Sequence, residues 1–216
     1  LTLKKYFPTE NSVNTNPLIY LEFDQAIDKN LLLNSLSLIG YNENDKNYKL
    51  RLATESEIQE EVDKDINFKI LLNEAKDKYW LAVKVDNTVL GNIEEPLPKD
   101  SNFGVIVNIG ASGEGALKTT SKQEFSFKTY SPLRVTWQSC KDYECRPVDY
   151  LQFSLNNQLR PNSLDISKAT IEPKIPGMTM IVSGTVVTIR GKLKGRITYK
   201  LKLEKEFIKD TFGQYL

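Results

Sequence analysis

Apolar positions along this chain fall in short runs divided by turn-forming residues, and alternation of apolar and polar side chains prevails over any longer helical period. From residue 131 onward, Leu133–Gln138, Val148–Ser154, Ala169–Glu172, Met178–Val182, Thr185–Arg190, Arg196–Leu203 and the closing Gln214–Leu216 read as strands. Their spacing is that of a β-sandwich. Alternation is clearest where Ile197, Tyr199, Leu201 and Leu203 take one face and Lys200 and Lys202 the other, because successive strand side chains point to opposite sides. Ser183-Gly184 joins Met178–Val182 to Thr185–Arg190 as a two-residue hairpin connection. Pro173, Pro176 and Gly177 break the chain just before it.

The first part of the chain has the same character with one insertion. Pro17–Phe23, Lys78–Val85, Asn102–Ile109 and Gln123–Thr129 read as strands. Thr54-Glu55-Ser56-Glu57 has the form of a capping box, Ile58, Val62 and Ile66 follow at helical spacing, and Phe68, Leu71, Leu72 and Ala75 repeat the pattern. One or two short helices are therefore expected within residues 55–76. A weak internal repeat sets Tyr20-Leu21-Glu22-Phe23 against Tyr150-Leu151-Gln152-Phe153, followed by Asn34-Ser35-Leu36 and Asn162-Ser163-Leu164 and then by the apolar runs Ser37-Leu38-Ile39 and Ala169-Thr170-Ile171. The expectation is two related β-sandwiches, residues 1–130 and 131–216, meeting near Tyr130-Ser131-Pro132 with almost no linker.

Charge sharpens that division. The 216 residues carry a formal net charge of +1. Residues 1–130 hold 15 basic and 20 acidic groups, net −5, and residues 131–216 hold 14 and 8, net +6. Composition also removes whole classes of chemistry. Without histidine there is no Ser-His-Asp or Cys-His catalytic set, no His-ligated zinc and no imidazole pH switch. Two cysteines are too few for an all-thiolate zinc or iron–sulfur centre, and no Walker-type phosphate cradle occurs. No cofactor or metal is expected. No stretch reaches the roughly 18 apolar residues of a membrane span. Leu1 to Lys5 supply neither a Met start nor a signal-peptide core, so an excised or processed piece is expected.

Arg51-Leu52-Ala53-Thr54, the run from Gln123 to Tyr130, and Cys140 with Cys145-Arg146-Pro147 resemble the N-terminal Ig-like region of bacterial alpha-2-macroglobulin-like proteins. So do Ile171-Glu172-Pro173-Lys174-Ile175-Pro176-Gly177, Thr188-Ile189-Arg190-Gly191, Gly195-Arg196-Ile197-Thr198-Tyr199 and Asp210-Thr211-Phe212-Gly213-Gln214. The resemblance runs through most of residues 51–216, while residues 1–50 match only a looser bacterial Ig-like template. It implies a mainly β fold of two tandem Ig-like, macroglobulin-like sandwiches, the first with the helical insertion. It also implies a secreted or periplasmic, often lipid-anchored protein that entraps proteases cleaving its bait segment. The Cys-Gly-Glu-Gln thioester of many members is absent from this chain, and no bait segment is identified. The implied role is a non-catalytic structural segment. Its partners would be other domains of the same large polypeptide and, indirectly, proteases, with membrane contact only through an anchor outside the segment.

Cys140 and Cys145 close a short hydrophilic loop, and in an oxidising compartment a disulfide is the natural reading, contributing about 2 kcal/mol in the loop-entropy model. A redox role is disfavoured, because four residues rather than two intervene on a β background. Arg190, Lys192, Lys194, Arg196, Lys200 and Lys202 form a basic run that could meet an anionic partner. With no aromatics interleaved on the charged side, nucleic acid is not the expected partner, and an acidic domain or a solubilising strand edge fits better. Asn42 to Asn47 and Glu94-Glu95 carry oxygen ligands of calcium type but read better as solvated loops, and Gly110 to Gly115 reads as a turn. Trp80 and Trp137 stand in strand-like segments. An exposed aromatic cluster at either would favour the alternative, a surface adhesin or glycan-binding module.

Overall fold

The computed structural model describes residues 1–9, 12–41, 45–88, 95–113, 118–140 and 150–216. The chain divides into two compact units, Leu1–Tyr130 and Ser131–Leu216.

The first unit contains two four-stranded antiparallel sheets. One has the spatial order β1 (Leu3–Phe7), β2 (Ile19–Phe23), β6 (Trp80–Val85), β5 (Leu50–Leu52); the other has the order β4 (Lys46–Tyr48), β3 (Leu36–Gly40), β7 (Asn102–Val107), β8 (Gln123–Lys128). Ile19, Leu21, Phe23, Leu81, Val83 and Val85 from the first meet Leu38, Phe103, Val105, Val107, Phe125 and Phe127 from the second in one core, the arrangement of a β-sandwich. β2 is buried along nearly its whole length because its other face is covered too. There Leu18, Tyr20 and Ala82 pack with Phe68, Ile58, Val62, Leu71 and Leu72 of two helices, α2 (Glu55–Lys64) and α3 (Ile66–Glu74).

Local chemistry starts and stops these helices. Thr54 accepts the Glu57 N–H (3.3 Å) while the Glu57 carboxylate accepts the Thr54 N–H (2.9 Å), a complete capping box. Asp65 ends α2 in an extended conformation and caps α3, accepting the N–H groups of Asn67 and Phe68 at 2.7 and 3.1 Å. Periodicity does not reveal β4, β5 or the one-turn helix α1 (Lys29–Leu33), which are too short to establish a pattern, and β1, although its burial alternates over five residues, is not among the strands read from the sequence. Helix α1 rests on Asp28, which accepts from Asn30 and Leu31.

The second unit has a four-stranded sheet of order β12 (Thr179–Ser183), β13 (Val186–Arg190), β10 (Tyr150–Leu155), β9 (Val135–Gln138), and a two-stranded sheet of β11 (Ala169–Glu172) with β14 (Lys200–Leu203). Phe153, Leu155, Ile171, Met180, Val187, Ile189, Phe207 and Ile208 form its core.

Three sequence expectations shift here. The hairpin turn is Gly184-Thr185 rather than Ser183-Gly184: Ser183 pairs with Val186, and Gly184 takes the positive φ (62°) that the turn needs. The strand expected over Arg196–Leu203 forms only at Lys200–Leu203, where Leu201 and Leu203 pack on the core and the lysines are exposed. Its partner β11 stops at Glu172, because Pro173 has no N–H to extend the ladder. Ile197 is left exposed, and Tyr199 instead accepts the Lys194 N–H through its hydroxyl at 2.8 Å. Gln214–Leu216 forms no strand, only a single bridge between Lys209 and Tyr215.

Candidate functional site

Two of the segments singled out in the sequence, Arg51–Thr54 and Asp210–Gln214, fall at polar joints, one in each unit. In the first unit, Arg51 of β5 and Lys84 of β6 are directly paired across the ladder and face α2. Arg51 donates to both carboxylate oxygens of Glu57 at 2.8 and 2.6 Å and to the Leu52 carbonyl at 3.1 Å. Lys84 Nζ lies 3.9 Å from the same carboxylate. The Arg51 hydrogen bonds hold the Glu57 carboxyl down at about 2, against the opposing pull of its partial burial. Burial lowers Lys84 and raises Glu61 on the next turn of α2, each group's charged form being disfavoured away from water. The joint docks the helix pair on the sheet, and the same carboxylate completes the capping box.

In the second unit Asp210 is fully buried. Its carboxylate accepts the Gln214 N–H at 2.8 Å and the side-chain amides of Asn157 and Gln214, each at 2.9 Å. Both amides also donate to the Ser131 carbonyl, at 2.9 and 3.1 Å. Gly213, at φ 91°, turns the chain so that Gln214 reaches back to Asp210. The run from Asp210 to Gln214 therefore ties the first residue of this unit to β10's following loop, a function of closure. Among the described residues no buried side-chain nitrogen or oxygen is left without a partner.

The six basic residues of the expected patch are all exposed, and none forms an ion pair among the described residues. They do not make one surface. Arg190 follows Val186 and Thr188 on the outer face of the four-stranded sheet, opposite the core-facing Val187 and Ile189. Lys200 and Lys202 lie on the outer face of the two-stranded sheet, behind Leu201 and Leu203, with Lys200 paired across to Glu172. Lys192, Lys194 and Arg196 lie in the connection between them.

Of the expected disulfide, Cys140 is placed just beyond β9, whereas Cys145 lies outside the described residues. No described cysteine is free. Half of the calcium-type loop residues, Asn42 to Asn44 and Glu94, also lie outside them. Glu95 accepts the Tyr130 hydroxyl (2.8 Å) and pairs with Lys99 (3.3 Å), and Lys46 sits over the Tyr48 ring, so these groups serve internal contacts. Among the described residues no cluster of three or more His, Cys, Asp or Glu side chains could hold a metal, and no helix is long and apolar enough to cross a membrane.

The tryptophans differ. Trp80 is half-buried, stacked 5.6 Å from Tyr20 with Lys29 Nζ 4.3 Å above its ring. Trp137 is 48% exposed. A shallow cleft of about 530 Å³ in the first unit, beside Leu33, Asn34, Tyr48 and Lys49, offers no carboxylate or thiol, and Lys49 is already paired with Asp86 at 3.1 Å. The cap formed by Thr54 and Glu57 is legible in the sequence, but the pairing of Glu57 with Arg51 and Lys84 is not, nor is the second joint, because Asn157 and Ser131 carry no sequence signal linking them to Asp210. Comparison with known protein families and with curated proteins returns no match to this chain.

Proposed function

We propose that this chain is a non-catalytic scaffold segment: two tandem Ig-like, macroglobulin-like domains of a bacterial alpha-2-macroglobulin-like protease-trapping inhibitor. The observation that carries this reading is that two of the resembling segments make purely structural joints. Arg51 and Thr54 help dock and cap a helix, and Asp210 with Gln214 closes a domain. Residues spent on closing domains suit a spacer that holds other parts of a long polypeptide in place. In this reading the partners are neighbouring domains of the same chain and, through them, proteases. The setting is periplasmic or extracellular, with a lipid anchor outside the segment and an oxidised Cys140–Cys145 pair.

The test is the sequence of the parent gene beyond Leu216, followed by protease challenge of the full-length product. Further β domains, and a cleaved parent that retains the protease, support the reading, with a Cys-Gly-Glu-Gln motif marking covalent capture. A parent that continues into cell-wall anchoring repeats, or that is degraded without retaining protease, overturns it.

A further inference from the structure

The outer face of the four-stranded sheet in the second unit is unusual for a scaffold. Cross-strand pairing puts Trp137 beside Ser154, Gln152 beside Thr188, and Tyr150 beside Arg190. Directly opposed side chains share a face, so all six stand on one side of the sheet, away from Phe153 and Leu155 in the core. Trp137 and Tyr150 are 48% and 44% exposed. From Tyr150 to Ser154 along β10 and one strand across, the two rings are on the order of 14 Å apart. Between them the Gln152 amide donates to the Thr188 hydroxyl at 3.1 Å, and Ile181, 49% exposed, and Val186 flank this polar pair on the same face. No carboxylate stands on this face of β9, β10, β13 or β12, and its one charge, Arg190, is exposed and makes no ion pair among the described residues.

We propose that this face binds an extended acidic polysaccharide, one built of uronic acid units. The reasons are chemical. Two ring faces separated by hydroxyl and amide groups match a chain of pyranose rings, whose apolar faces stack on aromatics and whose hydroxyls exchange hydrogen bonds. The unpaired guanidinium supplies the complement to a carboxylate, which it can grip with two parallel hydrogen bonds. The spacing of the rings selects a chain longer than a single sugar. The proposal does not rest on the scaffold reading; it builds on the exposed aromatic face that the sequence ties to a glycan-binding module.

The test is affinity electrophoresis of the intact 216-residue chain through gels containing polygalacturonate, alginate or hyaluronate, with fully methyl-esterified polygalacturonate and poly-L-glutamate as comparisons. Retardation is expected in at least one acidic polysaccharide. Trp137→Ala and Tyr150→Ala should each weaken it about tenfold, the scale of losing one ring stack. Arg190→Gln should abolish the preference over the esterified polymer, while Lys200→Gln on the other sheet should change nothing. These substitutions are at exposed positions, and circular dichroism verifies the fold. No retardation in any of the three acidic polysaccharides overturns the proposal. So does retardation indifferent to Trp137→Ala and Tyr150→Ala, which is general attraction to cations, or equal retardation by poly-L-glutamate, which points to an acidic protein.

Discussion

Arg51 and Lys84 stand directly opposite one another across the β5–β6 ladder, two like charges that share a single carboxylate, Glu57, at the start of α2. Without that carboxylate the pair would repel on a partly buried surface, and the first turn of the helix would lose its reciprocal cap. Glu57→Gln is therefore expected to destabilise the first unit by about 2–4 kcal/mol, combining a lost cap with lost charge-assisted hydrogen bonds. Urea unfolding followed by Trp80 fluorescence in a Trp137→Phe background measures it. A cost under about 0.5 kcal/mol, the range of ordinary surface substitutions, refutes the docking role.

The same carboxylate sets a pH dependence. Its folded-state value near 2 lies below the roughly 4.3 of a free glutamate, so the joint contributes stability that is fully present above about pH 4.3 and is lost as pH falls toward 2. Asp24, lowered by the Thr2 N–H, acts with the same sign, and Glu61, raised by burial, with the opposite one. Comparing wild type with Glu57→Gln cancels the remote Asp24, and a Glu61→Gln background removes the neighbouring Glu61, which shares Lys84 with Glu57. The stability gap between them should narrow between pH 5 and about pH 2, and a gap constant with pH contradicts the assignment.

Phe68 is fully buried at the centre of the helix–sheet contact, 5.1 Å from the Phe7 ring and 5.9 Å from Tyr20. Phe68→Ala should cost about 3–5 kcal/mol. Circular dichroism should register early loss of helix, and Trp80 fluorescence should shift as its stack with Tyr20 loosens. Ile70, exposed on the same helix, should tolerate alanine within about 0.5 kcal/mol.

Asp210→Asn replaces an acceptor of three N–H groups with an amide that must present its own NH₂ to one of them. A loss of about 2–3 kcal/mol is expected, confined to the second unit. Hydrogen exchange should quicken at residues 210–214 and around Ser131 and Asn157 while the first unit stays protected. Unchanged exchange there would remove the closure role.

The proposed Cys140–Cys145 bond is checked by intact mass and alkylation. The oxidised protein should lack two hydrogens and resist alkylation until reduced, and reduction should lower stability by about 2 kcal/mol. Free thiols in protein purified from an oxidising compartment would overturn the pairing.

How much of this was legible in the sequence follows from how local each feature is. Alternation placed Ala169–Glu172 and Thr185–Arg190 close to where strands form, and Thr54 with Glu57 marked the start of a helix, because side-chain period and capping are written within a few residues. The histidine-free composition likewise excluded imidazole chemistry without any coordinates. What depended on distant partners stayed hidden. Arg196 to Tyr199 alternate well enough to be a strand, yet β11 ends at Glu172 and leaves them nothing to pair with. Trp80 and Trp137 look alike in sequence, but helices pack beside the first while the second stands 48% exposed. The Asp210 joint draws on Ser131, Asn157 and Gln214, and the outer face that carries Trp137, Gln152 and Arg190 exists only through cross-strand register. The sequence by itself determined which short segments would be strands or helices; tertiary structure decided which of their faces would be covered, because burial is a property of the neighbour as much as of the residue.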